Sequence, residues 1–269
     1  MPATRVGIIG YGNLGKFLHA ELRKLPEFEV VRVWNRSHID GIQPIEEINE
    51  KNLKDIDLVV EVAHPDLMAT YLETILAHAD LFIGSPTCLA DDGLMATTKK
   101  LLAENPGRRV FVPAGAFWGG NDIQKMAETG LLQALTVTMT KHPNSFKLRE
   151  PLAAKNEEAK EGDQPVVLYE GPVRDLCPIA PNNVNTMAGA SVAAFNLGFD
   201  GVKAKLVSDP KLHDWHIVEV LAEGPDGFQV HSIRKNPAKP GAVTGQLTYF
   251  SFLSSIKETR HKPAGLQIC

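Results

Sequence analysis

Cysteine is scarce in this chain: three in 269 residues, Cys88, Cys177 and Cys269. An odd number without metal-ligand spacing excludes a disulfide framework and a zinc cluster, and it suits a reducing compartment. All three are read as structural or incidental, and no metal is expected. Long apolar runs are missing as well, none approaching the ~18 residues that a membrane span needs. The opening MPATRVGIIGYGNLG enters a strand without the basic stretch and apolar core of a secretion signal. These absences lead us to expect a cytoplasmic protein with no membrane association. Lysine and arginine are scattered and the formal net charge is −4, which leaves no electrostatic footprint for a nucleic acid. The expected partner is a small molecule.

What the chain does have is ordinary globular material, 43% apolar and 22% charged, sufficient for a core in each of two lobes of the usual ~100–200 residues. In the first half, Arg5–Ile9, Val30–Trp34, Leu58–Val62, Leu81–Gly84 and Val110–Pro113 are short runs rich in β-branched residues. They are near-continuous in apolar residues, as strands of a parallel sheet covered on both faces must be. Leu14, Phe17, Leu18, Leu22 and Leu25, then Leu67, Tyr71, Ile75 and Leu76, fall at helical spacing between them, so the order reads β-α-β.

From about Gly119 the pattern changes. Gly119–Gly130 reads as a helix, and Asn185–Asn196 as another. Five strand runs accompany them: Leu135–Thr140, Val166–Glu170, Lys203–Val207, Ile217–Leu221 and Phe228–Ile233. Ala153–Pro165 and Lys235–Gly241 read as exposed loops. The expected fold is therefore α/β: an N-terminal Rossmann dinucleotide-binding domain over residues 1–118, then an α+β domain with a mixed or antiparallel sheet over 119–245. Residues 246–269 are expected to pack back on the first domain.

The loop Gly10-Tyr11-Gly12-Asn13-Leu14-Gly15 follows the strand Val6–Ile9 and opens an amphipathic helix. In that context the first glycine permits a tight turn, the second lets backbone approach a pyrophosphate, and the third lets helix pack close to strand. The helix N-terminus is then aimed at the anion. A nicotinamide dinucleotide is the expected cofactor, with Gly10, Gly12, Asn13, Leu14 and Gly15 around its phosphates. Ala63, in the turn after the third strand run, joins the expected contacts. The second strand ends Val33-Trp34-Asn35-Arg36-Ser37, without the carboxylate that normally binds the adenosine ribose hydroxyls. Arg36 instead offers a planar fork for a 2′-phosphate, and Asn35 and Ser37 can add neutral hydrogen bonds. NADP is favoured; Arg36 as a solvated loop residue, in an enzyme using NAD as well, is the alternative.

Hydride chemistry needs a proton-handling group on the protein. His216 stands where the polar loop Asp209–Asp214 enters a strand, a placement suited to a catalytic base and equally found for idle, exposed histidines. Arg174, in LYEGPVR, suits a carboxylate clamp and equally a surface ion pair. In APNNVNTMA, capping explains one asparagine but not Asn182, Asn183 and Asn185 together; Asn183 is expected on the substrate.

At these residues the chain resembles the L-aspartate dehydrogenase family, its animal members in particular. The marks are VGIIGYGNLG, VWNR at Val33–Arg36, EVAHP at Glu61–Pro65, PAGAFWG at Pro113–Gly119, LYEGPVR, APNNVNTMA, DP followed by a histidine, and NPAKPGAVTG. The resemblance implies that His216 is the catalytic histidine and that Asn185 and Ala116 contact the cofactor. It also implies a homodimer built through the second domain. Bacterial members carry Asn-x-His-x-Ile where this chain has Asp214-Trp215-His216-Ile217, and Arg-Lys-Pro where it has Lys141-His142-Pro143; the positive charge persists at Lys141. The implied activity is reversible oxidative deamination of L-aspartate to oxaloacetate and ammonia, with His216 as general base for water and Arg174 and Lys141 on the carboxylates. A sugar or dihydrodipicolinate-type reductase shares the architecture, but sugar oxidoreductases commonly carry Glu-Lys-Pro where Gly84-Ser85-Pro86 stands here. An NADP-binding protein without turnover is the reading from another class.

Overall fold

The structure is a computed structural model that describes residues 2–238, 241–243 and 245–269, with the side chain of Gln246 left aside. It contains two compact units. The first holds the described residues up to Pro113 together with Phe252–Gln267 and Cys269; the second holds the described residues of Ala114–Ser251 and Ile268.

The first unit runs β1 (Thr4–Ile9), α1 (Asn13–Leu22), β2 (Phe28–Asn35), β3 (Gln43–Pro44), α2 (Glu50–Leu53), β4 (Leu58–Glu61), α3 (Met68–His78), β5 (Asp80–Ile83), α4 (Asp92–Glu104) and β6 (Arg109–Val112). Every residue of β4 and β5 is buried, the signature of strands covered on both faces. β1 pairs in parallel with β2 and β4, β4 with β5, and β5 with β6. The sheet order is β3-β2-β1-β4-β5-β6, with a C-terminal strand beside β6. That is the Rossmann order, and the chain reverses its direction of travel between β1 and β4, where such sheets open a ligand crevice beyond the strands' carboxyl ends. The core on one side of the sheet joins Val6, Ile8, Leu18, Leu22, Val60, Phe82 and Phe111 to Phe252, Ile256 and Cys269 from the C-terminal stretch.

The second unit follows with α5 (Gly120–Glu128), β7 (Ala134–Lys141), α6 (Leu152–Glu161), β8 (Val166–Pro172), α7 (Val173–Leu176), α8 (Asn185–Ala193), α9 (Gly198–Gly201), β9 (Lys203–Ser208), β10 (Trp215–Glu223) and β11 (Gln229–Pro237). α10 (Gln246–Glu258) and β12 (Gly265–Ile268) complete the chain. The second sheet is mixed, in the order β11-β10-β7-β9-β8: β7 and β9 are parallel and the other pairs antiparallel. Burial alternates residue by residue along β7, β9 and β10, so each strand turns one face inward with the pleat's period of two.

Three expectations change. The unit boundary falls after Pro113 rather than 118, because the Ala114–Gly119 turn is tied to the second unit: Arg234 Nη1 and Ser251 Oγ both donate to the Gly115 carbonyl, at 3.0 and 2.8 Å. The expected loop Ala153–Pro165 is largely α6. Its charged residues hide a narrow inward stripe of Leu152, Asn156 and Ala159, at helical spacing of four and three. Asn156 is anchored there by donating to the Pro143 carbonyl at 3.1 Å and accepting from Ser208 Oγ at 2.8 Å. Lys235–Pro237 extends β11 instead of opening a loop; Lys239 and Pro240 of that expected loop lie outside the described residues.

Candidate functional site

In the first unit, Gly10 adopts φ 104° at the carboxyl end of β1, a conformation that side chains resist. A Cβ on Gly15 would run into the Gly10 carbonyl oxygen, so α1 reaches this close to β1 only with glycine at position 15. Gly12 is the N-cap of α1 and supplies no side-chain cap, leaving first-turn N–H groups to an external acceptor. A Cβ on Gly12 would meet nothing within 4 Å; it would project into open space at the helix's positive end. A pyrophosphate fits that cradle.

Asn35 acts on the loop itself. Its Oδ1 accepts from Tyr11 N at 3.0 Å and its Nδ2 donates to the Ser37 carbonyl at 2.9 Å. The first bond ties the glycine loop to the end of β2 and the second holds the turn that follows it. Arg36 and Ser37 are exposed beside it, and Arg36 makes no ion pair among the described residues.

The sequence reading missed Glu61, the last residue of β4, which is fully buried. Its carboxylate accepts from Ala63 N at 2.7 Å, Ser85 N at 3.0 Å and Ser85 Oγ at 3.1 Å, and from His64 N. Burial raises its pKa to about 7, opposed by the donors of Ala63, Ser85 and His64. One side chain thus ties the turn after β4 to the turn after β5, and Ala63 is held in the first of them. A Cβ on Gly10 would lie 2.8 Å from Ala63 Cβ, so the glycine loop and this turn are in close contact.

In the second unit, the inward face of the sheet is apolar along most of its length: Leu135, Val137 and Met139 on β7, Val218, Val220 and Ala222 on β10, and Ala204 and Leu206 on β9 are all buried. At one end it becomes polar. Ser208 pairs with Lys141 and His216 pairs with Asn236. One step beyond the pair Ile217 and Thr140, His216 and Lys141 are neighbours across the strands. Ser208, Lys141, His216 and Asn236 therefore form one row across four strands, all buried.

Lys141 donates to the Val243 carbonyl at 3.1 Å, and its burial lowers its pKa to about 8. His216 is lowered to about 4, by burial first and then by the Lys141 charge, against a hydrogen bond to the Ala242 carbonyl. The His216 Nε2 atom is buried without a hydrogen-bond partner among the described residues. Asn236 Oδ1 and Asn185 Oδ1 are buried and likewise lack a partner, and buried polar atoms in that state ask for a ligand.

These features match known proteins across the whole chain. The family described as aspartate dehydrogenase, C-terminal, matches residues 122–259, and the homoserine dehydrogenase NAD-binding domain matches residues 10–113. An aspartate dehydrogenase domain-containing protein of Xenopus tropicalis is 44% identical over 98% of each chain. The chain belongs to the aspartate dehydrogenase family. An L-aspartate dehydrogenase of Methanococcoides burtonii is 28% identical over 94% of this chain and 96% of its own. The solved structure of aspartate dehydrogenase from Thermotoga maritima shares the fold with a TM-score of 0.72, at 24% identity over 97% of this chain and 99% of that one. As a member of this family, with its NAD-binding domain, the chain is an oxidoreductase of the nicotinamide-dinucleotide type.

Within this aspartate dehydrogenase family member the structure brings Lys141 and His216 together and sets two other expected residues aside. Arg174 donates Nε and Nη2 to the two carboxylate oxygens of Asp200, at 2.6 and 2.7 Å. It follows β8, whose last residue Pro172 pairs with Lys203 at the far end of β9 from Ser208, so it stands at the opposite end of the sheet from His216. Asn183 is spent on Lys147, donating to its carbonyl at 2.6 Å and accepting from its N–H at 3.4 Å; it braces a loop. Asn185 opens α8 and Ala116 lies in the turn anchored through Gly115.

Proposed function

We propose that the chain catalyses the reversible oxidative deamination of L-aspartate, through iminoaspartate, to oxaloacetate and ammonia. The observation that carries the reading is His216: a buried imidazole beside Lys141 whose Nε2 has no hydrogen-bond partner among the described residues. Gly10, Gly12, Asn13, Leu14, Gly15 and Ala63 are the residues of the first unit that would hold the dinucleotide. When bound, that cofactor supplies a hydride acceptor for the substrate's α-carbon.

The chain's own residues then manage charge and protons. Lys141, a cation with no carboxylate partner among the described residues, holds a substrate carboxylate and orients the reacting carbon. His216 Nε2 takes a proton from the water that attacks the imine carbon and returns it to the departing nitrogen; the water oxygen becomes the keto oxygen and the C–N bond breaks to release ammonia. Because burial, and then the Lys141 charge, hold the free imidazole neutral, the base is competent throughout the neutral range, and an anionic substrate beside it raises its proton affinity.

NADP is the favoured dinucleotide, supported by Arg36 standing exposed after β2 with no ion pair among the described residues. The test is reduction of NADP and of NAD followed by absorbance with L-aspartate, with oxaloacetate and ammonia assayed as products. Cofactor binding without L-aspartate-dependent reduction contradicts the proposal.

A further inference from the structure

Two cations on the inward face of the second sheet are withdrawn from water without an acid to neutralise them. Lys141 has the Val243 carbonyl. Arg234, half-buried on β11, donates Nη1 to the Gly115 carbonyl at 3.0 Å. Neither makes an ion pair among the described residues, and burial depresses the Arg234 guanidinium. A buried charge in this state is costly until an anion meets it.

The sheet places both cations beside one residue. Asn236 pairs with His216, and Arg234 pairs with Val218, so Arg234 is the diagonal neighbour of His216, at ~7–8 Å between backbones. Lys141 flanks His216 from the other strand. His216, whose Nε2 has no partner among the described residues, thus has a lysine on the neighbouring strand to one side and an arginine, placed diagonally, on the strand to the other. Bracing the Gly115 turn does not account for the arginine, since Ser251 Oγ already donates to the same carbonyl at 2.8 Å and a guanidinium has five donors in a fork shaped for a carboxylate.

We propose that Arg234 is the specificity-determining residue of this site: it binds the second carboxylate of a four-carbon dicarboxylate whose first carboxylate is held by Lys141. This rests on the reading of His216 and Lys141 given above and adds the feature that separates a dicarboxylic from a monocarboxylic amino acid. Arg174, locked to Asp200, takes no part.

Calorimetry on the full chain with two inert probes, succinate and butyrate, isolates the second carboxylate. The wild type binds succinate at least about tenfold tighter than butyrate, the scale of an added charge-assisted pair. R234Q keeps an N–H for the Gly115 carbonyl but removes the charge; it lowers succinate affinity about 10–100-fold and leaves butyrate unchanged, whereas R234K retains most of the preference. A wild type that does not distinguish the probes, or an R234Q variant that keeps the preference, overturns the proposal. Succinate, and not butyrate, also protects Arg234 of the wild type from phenylglyoxal, read by mass spectrometry, which decides the matter if R234Q does not fold; equal labelling overturns it. Arg234-dependent succinate binding in a protein that does not oxidise L-aspartate removes the activity and leaves the clamp standing. Oxidation undiminished in R234Q does the reverse.

Discussion

His216 on β10 and Lys141 on β7 are cross-strand neighbours on the one buried face of the second sheet, one residue beyond the pair Ile217 and Thr140. Burial, and after it the lysine charge, keeps the pKa of the histidine low. Neither ring nor ammonium is neutralised by an acid among the described residues. The pair therefore combines a base kept neutral with a cation kept waiting, and two pH effects follow from it.

The alkaline limb belongs to Lys141. Its folded pKa is lowered to about 8, so the ammonium that would hold a carboxylate is present below that value and lost above it. The KM for L-aspartate is expected to rise as pH passes 8 while kcat changes less. Lys141→Arg, which stays charged, moves this limb to higher pH; an unchanged limb assigns it to another group. The same depression means that the native state binds fewer protons here than the unfolded chain, so this lysine's contribution to stability improves between about 8 and its ordinary value.

Gly12→Val fills the open space at the start of α1. Nothing lies within 4 Å of the added Cβ and the backbone there has an ordinary negative φ, so the protein folds. Dinucleotide binding is expected to disappear in a fluorescence titration; retained affinity would place the pyrophosphate elsewhere.

Arg36→Ala separates the two dinucleotides. Loss of a charge-assisted contact to the 2′-phosphate weakens NADP by ~1.5–3 kcal/mol and leaves NAD nearly unchanged. Equal losses would show that Arg36 does not read the phosphate.

Glu61→Gln changes the clasp between the turns after β4 and β5. An amide cannot accept at both ends, so one of the N–H groups of Ala63, His64 or Ser85 faces another donor. Dinucleotide affinity is expected to fall about tenfold, the effect of one buried unsatisfied donor. In the wild type, affinity should weaken as pH falls through about 7 and the carboxylate gains a proton; the variant lacks that dependence. A wild-type affinity flat across this range would contradict the role.

What the sequence could reveal depended on the range of the interaction. Continuous apolar runs marked β4 and β5 because both faces are covered, and alternation marked β7 and β10. The same alternation carries Lys141 inward, as the residue ending Leu135, Val137, Met139, Lys141, and His216 inward ahead of Val218 and Val220. Partners far along the chain left no local trace. Arg174 meets Asp200 and Asn183 meets Lys147, 26 and 36 positions away, so both looked available. Glu61 looked like the end of a strand because Ser85 lies 24 positions on. The α6 helix was hidden by its charge, and Arg234 by its place in a strand whose outward face is exposed.

The central claim is that His216 acts as the general base. The direct measurement is turnover of L-aspartate by His216→Ala alongside its dinucleotide affinity. Affinity is expected to stay at the wild-type level, and turnover to fall ~10²–10⁴-fold, the loss that accompanies removal of a positioned proton-transfer group. A variant with wild-type affinity and more than about a tenth of wild-type turnover would contradict it.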